Sequence, residues 1–138
     1  MKDKHIKAHM QAAYVYAALS SCKRRQVGCI IVKDDNIIAI GYNGTNPGES
    51  NDCEDEDGNT LPNTRHAEDN ALRKLTKSTS SGEGAVAFIT TAPCAGCASR
   101  LEDAGIVCVY YDDVYRNENG LEYLLRKGID VVKVNLEK

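Results

Sequence analysis

Apolar residues recur along the chain with two different periods, and the changes of period mark the elements. Residues 4–20 place Ile6, Met10, Ala13, Tyr14 and Ala17 on one helical stripe. Val27-Gly28-Cys29-Ile30-Ile31-Val32 is a near-continuous apolar run of strand length. Asp34-Asp35-Asn36 is a turn signal and Ile37-Ile38-Ala39-Ile40 a second strand, so the pair predicts a hairpin. Residues 42–64 are rich in Gly, Asn, Asp and Glu and have no period; a loop this long is functional or disordered. His66 to about Thr76 reads as a helix with Ala67, Ala71, Leu72 and Leu75 inward, followed by a polar connection from Thr76 to Gly84. Ala85–Thr90 is a strand. Pro93 sets up a helix that Ala98, Leu101 and Ala104 continue to a stop at Gly105. Ile106–Tyr111 is a strand, Leu121–Arg126 a helix ending at Gly128, and Val131–Val134 the last strand. The order is α-β-β-α-β-α-β-α-β, and alternation after the hairpin predicts an α/β fold, a mixed sheet with helices on both faces.

Bulk properties narrow the partners. The 138 residues show no internal repeat and suit one domain, residues 1–138. A chain of that length buries roughly 68–70% of its unfolded surface, enough for a core. Net charge is −3, without the basic surplus of a dedicated nucleic-acid binder. That composition disfavours polymeric nucleic acid and leaves room for a small anionic metabolite held by a local basic patch. The N-terminal stretch is amphipathic and lacks a signal-peptide core and cleavage site. No run approaches the roughly 20 apolar residues of a membrane span, so the expectation is a soluble, cytoplasmic protein with no membrane partner. Of the six cysteines, metal ligation or buried thiols is the expected use, rather than a disulfide framework. Cys29 and Cys108 lie in apolar runs and read as core residues.

Chemistry concentrates in two short motifs, His66-Ala67-Glu68 and Pro93-Cys94-Ala95-Gly96-Cys97. One His and two Cys suffice as protein ligands of a catalytic zinc whose fourth position stays open for water. The carboxylate of Glu68 is then spare, and hydrolytic zinc chemistry needs such a proton shuttle. Cys94 and Cys97, at i and i+3, are expected on one face of a first helical turn, where free N–H groups and the dipole favour thiolate. Both motifs begin helices, and they should meet at the carboxyl end of the central strands. Alone, C-x-x-C is a redox pair or half of a zinc finger, and a lone His a core residue. No second C-x-x-C closes a finger, and a redox pair has no need of H-x-E.

The pair of motifs is similar to that of the zinc-dependent nucleobase deaminases, and the chain from about Gln26 to Val134 resembles the deoxycytidylate (dCMP) deaminases of the cytidine-deaminase superfamily. The likeness rests on Val27-Gly28, Gly41-Tyr42-Asn43-Gly44, His66-Ala67-Glu68-x-Asn70-Ala71, Thr90-x-x-Pro93-Cys94-x-x-Cys97-Ala98 and Ala104-Gly105-Ile106. It implies a three-layer α-β-α sandwich on a mixed five-stranded sheet. It further implies hydrolytic deamination of dCMP to dUMP and ammonia, with zinc on His66, Cys94 and Cys97 activating water for attack at C4. Glu68 would relay protons from that water to N3 and the leaving ammonia. Substrate contacts would fall to Asn43, Ala67, Thr90 and Tyr115. Family members are activated by dCTP and inhibited by dTTP, with Mg2+ on the triphosphate, and are often hexamers. Gly41, Tyr42, Asn43 and Gly44 belong to that effector site in the family.

Two departures from the family pattern stand out. Asp69 replaces a common Leu, which puts a charge at a surface or a subunit contact. Some phage members hold a second, structural zinc between early-loop cysteines and histidines of an insertion. Cys22 and Cys53 are the matching cysteines here, the insertion is missing, and His5 and His9, at i and i+4, could substitute; ordinary thiols and surface histidines are the expected reading. Lys23-Arg24-Arg25 is either a solvated face or, through Arg24 or Arg25, a two-point grip on phosphate. The acids Glu49, Asp52, Glu54, Asp55, Glu56 and Asp57 read as a solubilising loop or as a lid that repels polynucleotide. The competing functions are a cytidine or tRNA-adenosine deaminase of the same fold and a non-catalytic zinc module.

Overall fold

The computed structural model describes residues 1–45, 48–114 and 117–136. The expected element order is present: α1 (Asp3–Ala17), β1 (Gly28–Lys33), β2 (Asn36–Tyr42), α2 (Ala67–Thr76), β3 (Val86–Thr91), α3 (Ala95–Asp103), β4 (Cys108–Asp113), α4 (Asn119–Arg126) and β5 (Asp130–Lys133). The five strands form one sheet in the order β2-β1-β3-β4-β5. β1 runs antiparallel to both β2 and β3, and β3, β4 and β5 are parallel. The sheet is therefore mixed, as the pattern predicts.

Strand alternation builds two cores. Cys29 and Ile31 of β1 face the same side as Ala87 and Ile89 of β3, where Ala67, Ala71 and Leu75 of α2, Ala98 and Leu101 of α3 and Leu124 of α4 cover them. Ile30, Val32 and Phe88 face the other side and meet Met10 and Ala13 of α1. Phe88 also stacks on Tyr110, ring centroids 4.5 Å apart. Two glycines let the layers close. A Cβ on Gly28 would overlap the carbonyl of Ala13 in α1, and one on Gly41 would overlap the backbone of Ala67 and Ala71 in α2. Cys29 is fully buried, whereas Cys108 is only half-buried.

Boundaries shift by one to three residues where local bonds decide. Asp34 and Asp35 both adopt positive φ, 52° and 65°, which is the geometry of a two-residue hairpin turn that follows strand twist. β2 continues two residues beyond its apolar run because Gly28 still pairs with Tyr42. α1 ends at Ala17 rather than at residue 20, since Ser20 donates its hydroxyl to the Asn43 carbonyl at 2.7 Å and turns the chain toward β1. Cys94 and His66 are each the N-cap of their helix rather than its first turn.

Residues 43–45 and 48–66 contain more structure than their composition announces. Gly44 pairs with Arg65, and Glu54 with Thr60. Cys22 and Cys53 are joined by a disulfide, Cα atoms 5.1 Å apart, which corrects the expectation of ordinary thiols at these positions. Their backbones stand within the reach that a disulfide requires, a proximity across 31 residues of sequence that no local pattern carries. His5 and His9 lie elsewhere, bonding the Asp35 carboxylate at 2.5 and 2.8 Å and tying α1 to the hairpin turn. The two histidines therefore do not complete a metal site with Cys22 and Cys53. Among the described residues no helix is long and apolar enough to cross a membrane.

Candidate active site

Strand directions bring the two motifs to one edge of the sheet. The start of β1, the end of β2 and the ends of β3 and β4 all lie there. β3 delivers Thr91-Ala92-Pro93-Cys94, and α2 begins opposite with His66 as its N-cap. A pocket of about 410 Å³ opens between them, within the range of small-molecule sites. His66, Ala67, Glu68, Pro93 and Cys94 line it, together with Cys22, Arg24, Arg25, Asn43, Glu54 and Asn117 among others.

His66, Cys94 and Cys97 form the one group of three metal-capable side chains among the described residues. The imidazole Nδ1 lies 3.2 Å from Cys97 Sγ and 3.6 Å from Cys94 Sγ. Ligands of a tetrahedral zinc with ordinary bond lengths stand about 3.6 to 3.8 Å apart, so the donor set fits zinc. The three donors also share protons as a coupled group. Hydrogen bonds from Cys97 and His66 hold the Cys94 thiol far below its usual range, at about 3. The bond to Cys94 and burial push Cys97 the other way, and the bond to Cys94 raises His66. A coordinated dication would deprotonate Cys97 as well. The Cys97 N–H points to Cys94 Sγ at 3.4 Å and the Arg100 guanidinium to Cys97 Sγ at 3.9 Å, so both sulfurs have partners suited to negative charge.

Glu68 occupies the first turn of α2 and is only 4% exposed. Burial pushes its pKa up to about 6. A carboxylate so placed exchanges protons near neutral pH, as a shuttle must.

The other sequence-predicted residues divide. Ala67, Asn43, Arg24 and Arg25 line the pocket. Asn43 also braces the backbone, accepting from Val27 N–H at 2.8 Å and donating to the Arg25 carbonyl at 2.7 Å. Arg25 is committed to the Asp113 carboxylate at 2.5 Å and to Thr91 Oγ1, whereas among the described residues no hydrogen bond or ion pair engages the Arg24 guanidinium. Thr90 is not a wall residue. The two-residue period of β3 turns it toward α1, where its hydroxyl accepts from Gly28 N–H at 3.2 Å, and the next residue, Thr91, faces the pocket. Tyr115 lies outside the described residues. Gly41 and Tyr42 sit behind α2: Tyr42 accepts a bond from Asn70 at 2.9 Å and lies under the Lys74 ammonium. Asp69, the departure from family pattern, pairs with Arg65 at 3.1 Å. Sequence reasoning missed Thr91, Asn117, Arg100 and Gly120. A Cβ on Gly120 would overlap the Pro93 carbonyl, so this glycine seats α4 against the turn that carries Cys94.

The zinc-binding region of cytidine and deoxycytidylate deaminases matches residues 3–112. The chain belongs to this family. The deoxycytidylate deaminase of Saccharomyces cerevisiae is 35% identical over 88% of the chain, which spans 42% of that protein. The deoxycytidylate deaminase of Enterobacteria phage T4 is 30% identical, over 94% of the chain and 91% of its own length. A dCMP deaminase of cyanophage S-TIM5, crystallised with dCMP and dUMP, superposes with TM-score 0.94 at 42% identity, covering 96% of this chain and 98% of that one. The sheet order and helix layers are accordingly those of the cytidine-deaminase fold, and the matched region, described as zinc-binding, contains the cluster whose geometry fits that metal.

Proposed function

We propose that residues 1–138 form one deaminase domain that converts dCMP to dUMP and ammonia. The observation that carries this reading is a buried carboxylate beside a three-donor metal cluster, in a pocket also lined by Arg24, whose guanidinium has no hydrogen bond or ion pair among the described residues. What zinc supplies when bound is Lewis acidity, which brings a water nucleophile within reach of deprotonation near neutral pH. His66, Cys94 and Cys97 would hold it. Glu68 takes a proton from that nucleophile and gives it to N3, then serves the departing amine. Burial keeps Glu68 out of bulk water between those transfers. Arg24 holds the 5′-phosphate, while Arg25, fixed by Asp113 and Thr91, shapes the wall. The runner-up substrates, free cytidine and tRNA adenosine, would leave Arg24 without a nucleotide phosphate partner or call for a broad basic face.

Regulation by dCTP with Mg2+ and by dTTP, in a homo-oligomer and with a hexamer favoured, extends the same proposal, as does a cytoplasmic setting. Its support is local. Gly44 and Arg65 exchange both backbone bonds, 3.0 and 2.8 Å, so the Gly41–Gly44 segment at the end of β2 is tied to the residue that precedes His66.

The test compares ammonia release from dCMP and deoxycytidine by the zinc-loaded protein and by Arg24→Ala. A charge-assisted contact is worth about 1.5–3 kcal/mol. The variant should therefore lose roughly ten- to a hundredfold in kcat/KM on dCMP and little on deoxycytidine. Equal losses on both would assign Arg24 to the fold.

A further inference from the structure

The Cys22–Cys53 disulfide lies in the wall of the pocket rather than in a remote loop. Cys22 lines the cavity, two residues before Arg24, and Glu54 lines it immediately after Cys53. Hydrogen bonds stitch the same two segments at that point. The Glu54 carboxylate accepts from Lys23 N–H and Arg24 N–H at 3.1–3.2 Å, and Ser21 donates to the Asn51 carbonyl at 2.7 Å. On the loop side, the Cys53 carbonyl accepts from Leu61 N–H at 2.7 Å and from Thr64 Oγ1 at 3.0 Å. The disulfide is thus the covalent pin of a strap that runs from Asn51 to Thr64 and fixes the backbone from which Arg24 projects.

We propose that this disulfide is a redox-operated positioning element for the basic wall: oxidised, it holds Arg24 for an anionic nucleotide; reduced, it lets strap and wall part. In a reducing compartment protein disulfides are typically transient and regulatory, and they yield most readily where a thiol can approach. Both sulfurs belong to nearly buried residues, 5% and 1% exposed, so the approach is through the pocket, by way of Cys22. The reductant is a dithiol. One of its thiolates attacks Cys22 Sγ and releases the Cys53 thiolate, which takes up a proton. The second thiolate then displaces Cys22 from the mixed disulfide. The sum is two cysteine thiols and the cyclic disulfide of the reductant. A ligand that fills the pocket should obstruct the first step; separately, where the oxidised wall binds that ligand more tightly, linkage requires that the ligand make the disulfide harder to reduce at equilibrium by the same factor. The proposal rests on the nucleotide reading of the pocket, but its chemistry can be read without turnover.

The experiment uses the zinc-loaded full chain, equilibrated in dithiothreitol buffers from oxidised to reduced. Samples are denatured with a chelator, alkylated and mapped, and zinc is measured in each. We expect a Cys22–Cys53 peptide in the oxidised protein, faster amide exchange over residues 21–25 and 51–64 after reduction, and a reduction midpoint moved to more reducing buffer when dCMP is present. On reduction KM for dCMP should rise about fivefold or more, in the ordinary range of coupling between sites, with kcat changed less than that. The double variant Cys22→Ser, Cys53→Ser should show the raised KM of the reduced protein and ignore oxidant. Absence of the linked peptide at every potential would overturn the proposal. So would exchange and KM that do not respond, a redox response that survives in the double variant and therefore belongs to Cys94 and Cys97, or a second equivalent of zinc taken up on reduction. If dCMP is neither bound nor turned over while the strap still loosens on reduction, the substrate reading has failed and the redox device stands.

Discussion

Glu68 is the residue on which the proposed chemistry turns, because the cluster beside it can hold a metal but cannot by itself move protons. Replacing it by Gln preserves shape and removes the titrating group, so fold and zinc content should survive while kcat falls about 10²–10⁴-fold. The pH profile gives a second reading. A general base must be ionised, and burial raises this one to about 6, while the charge of a bound zinc draws it back down. The wild-type acid limb of kcat/KM should therefore lie at or below pH 6, activity falling as pH drops through it. Glu68→Gln should lack that limb at its residual rate. A zinc-replete Glu68→Gln with near-normal turnover would remove the assigned role. The His66, Cys94 and Cys97 cluster and the adjacent Glu68 were legible in the sequence because H-x-E and P-C-x-x-C each act over one helical turn. Thr90 and Thr91 were not distinguishable, since a one-residue difference in where β3 begins its alternation exchanges the two faces.

At the scale of elements, the site depends on how closely α4 can approach the turn after β3. Gly120 makes that approach possible, as a side chain there would meet the Pro93 carbonyl. Gly120→Ala forces the backbones apart, and overpacking of this kind costs about 1–3 kcal/mol. We expect a lower urea midpoint together with weaker retention of zinc against a chelator, because Cys94 follows Pro93. An unchanged midpoint and unchanged retention would show that α4 gives way without disturbing the metal turn. The apolar periods located every helix and strand, yet nothing in them told that Gly120 is a contact. A glycine needed for close approach looks in sequence like one needed for a turn, and the approach is set by elements 27 residues apart. The same limit hid the Cys22–Cys53 pairing, which joins a turn to a loop without period.

For the whole molecule the question is whether the edge that carries the pocket also communicates between subunits. The Gly41–Gly44 segment, which is the end of β2 and the bridge to Arg65, abuts α2 on one side and Arg65 on the other, so in the proposed regulation a nucleotide that shifted it would act on His66. Coupling of about 1–3 kcal/mol would suffice. dCMP saturation should be sigmoidal, become hyperbolic with dCTP and Mg2+, and be suppressed by dTTP. A hyperbolic curve that neither triphosphate moves would leave catalysis intact and remove the regulation. Catalysis itself is tested most directly by one titration: zinc is returned stepwise to metal-stripped protein while ammonia release from dCMP is followed. The account predicts that activity rises in proportion to zinc and ends at one equivalent per chain, with wild-type and Glu68→Gln binding alike and only wild-type active. One bound zinc with no release of ammonia from dCMP by the wild-type protein would contradict it.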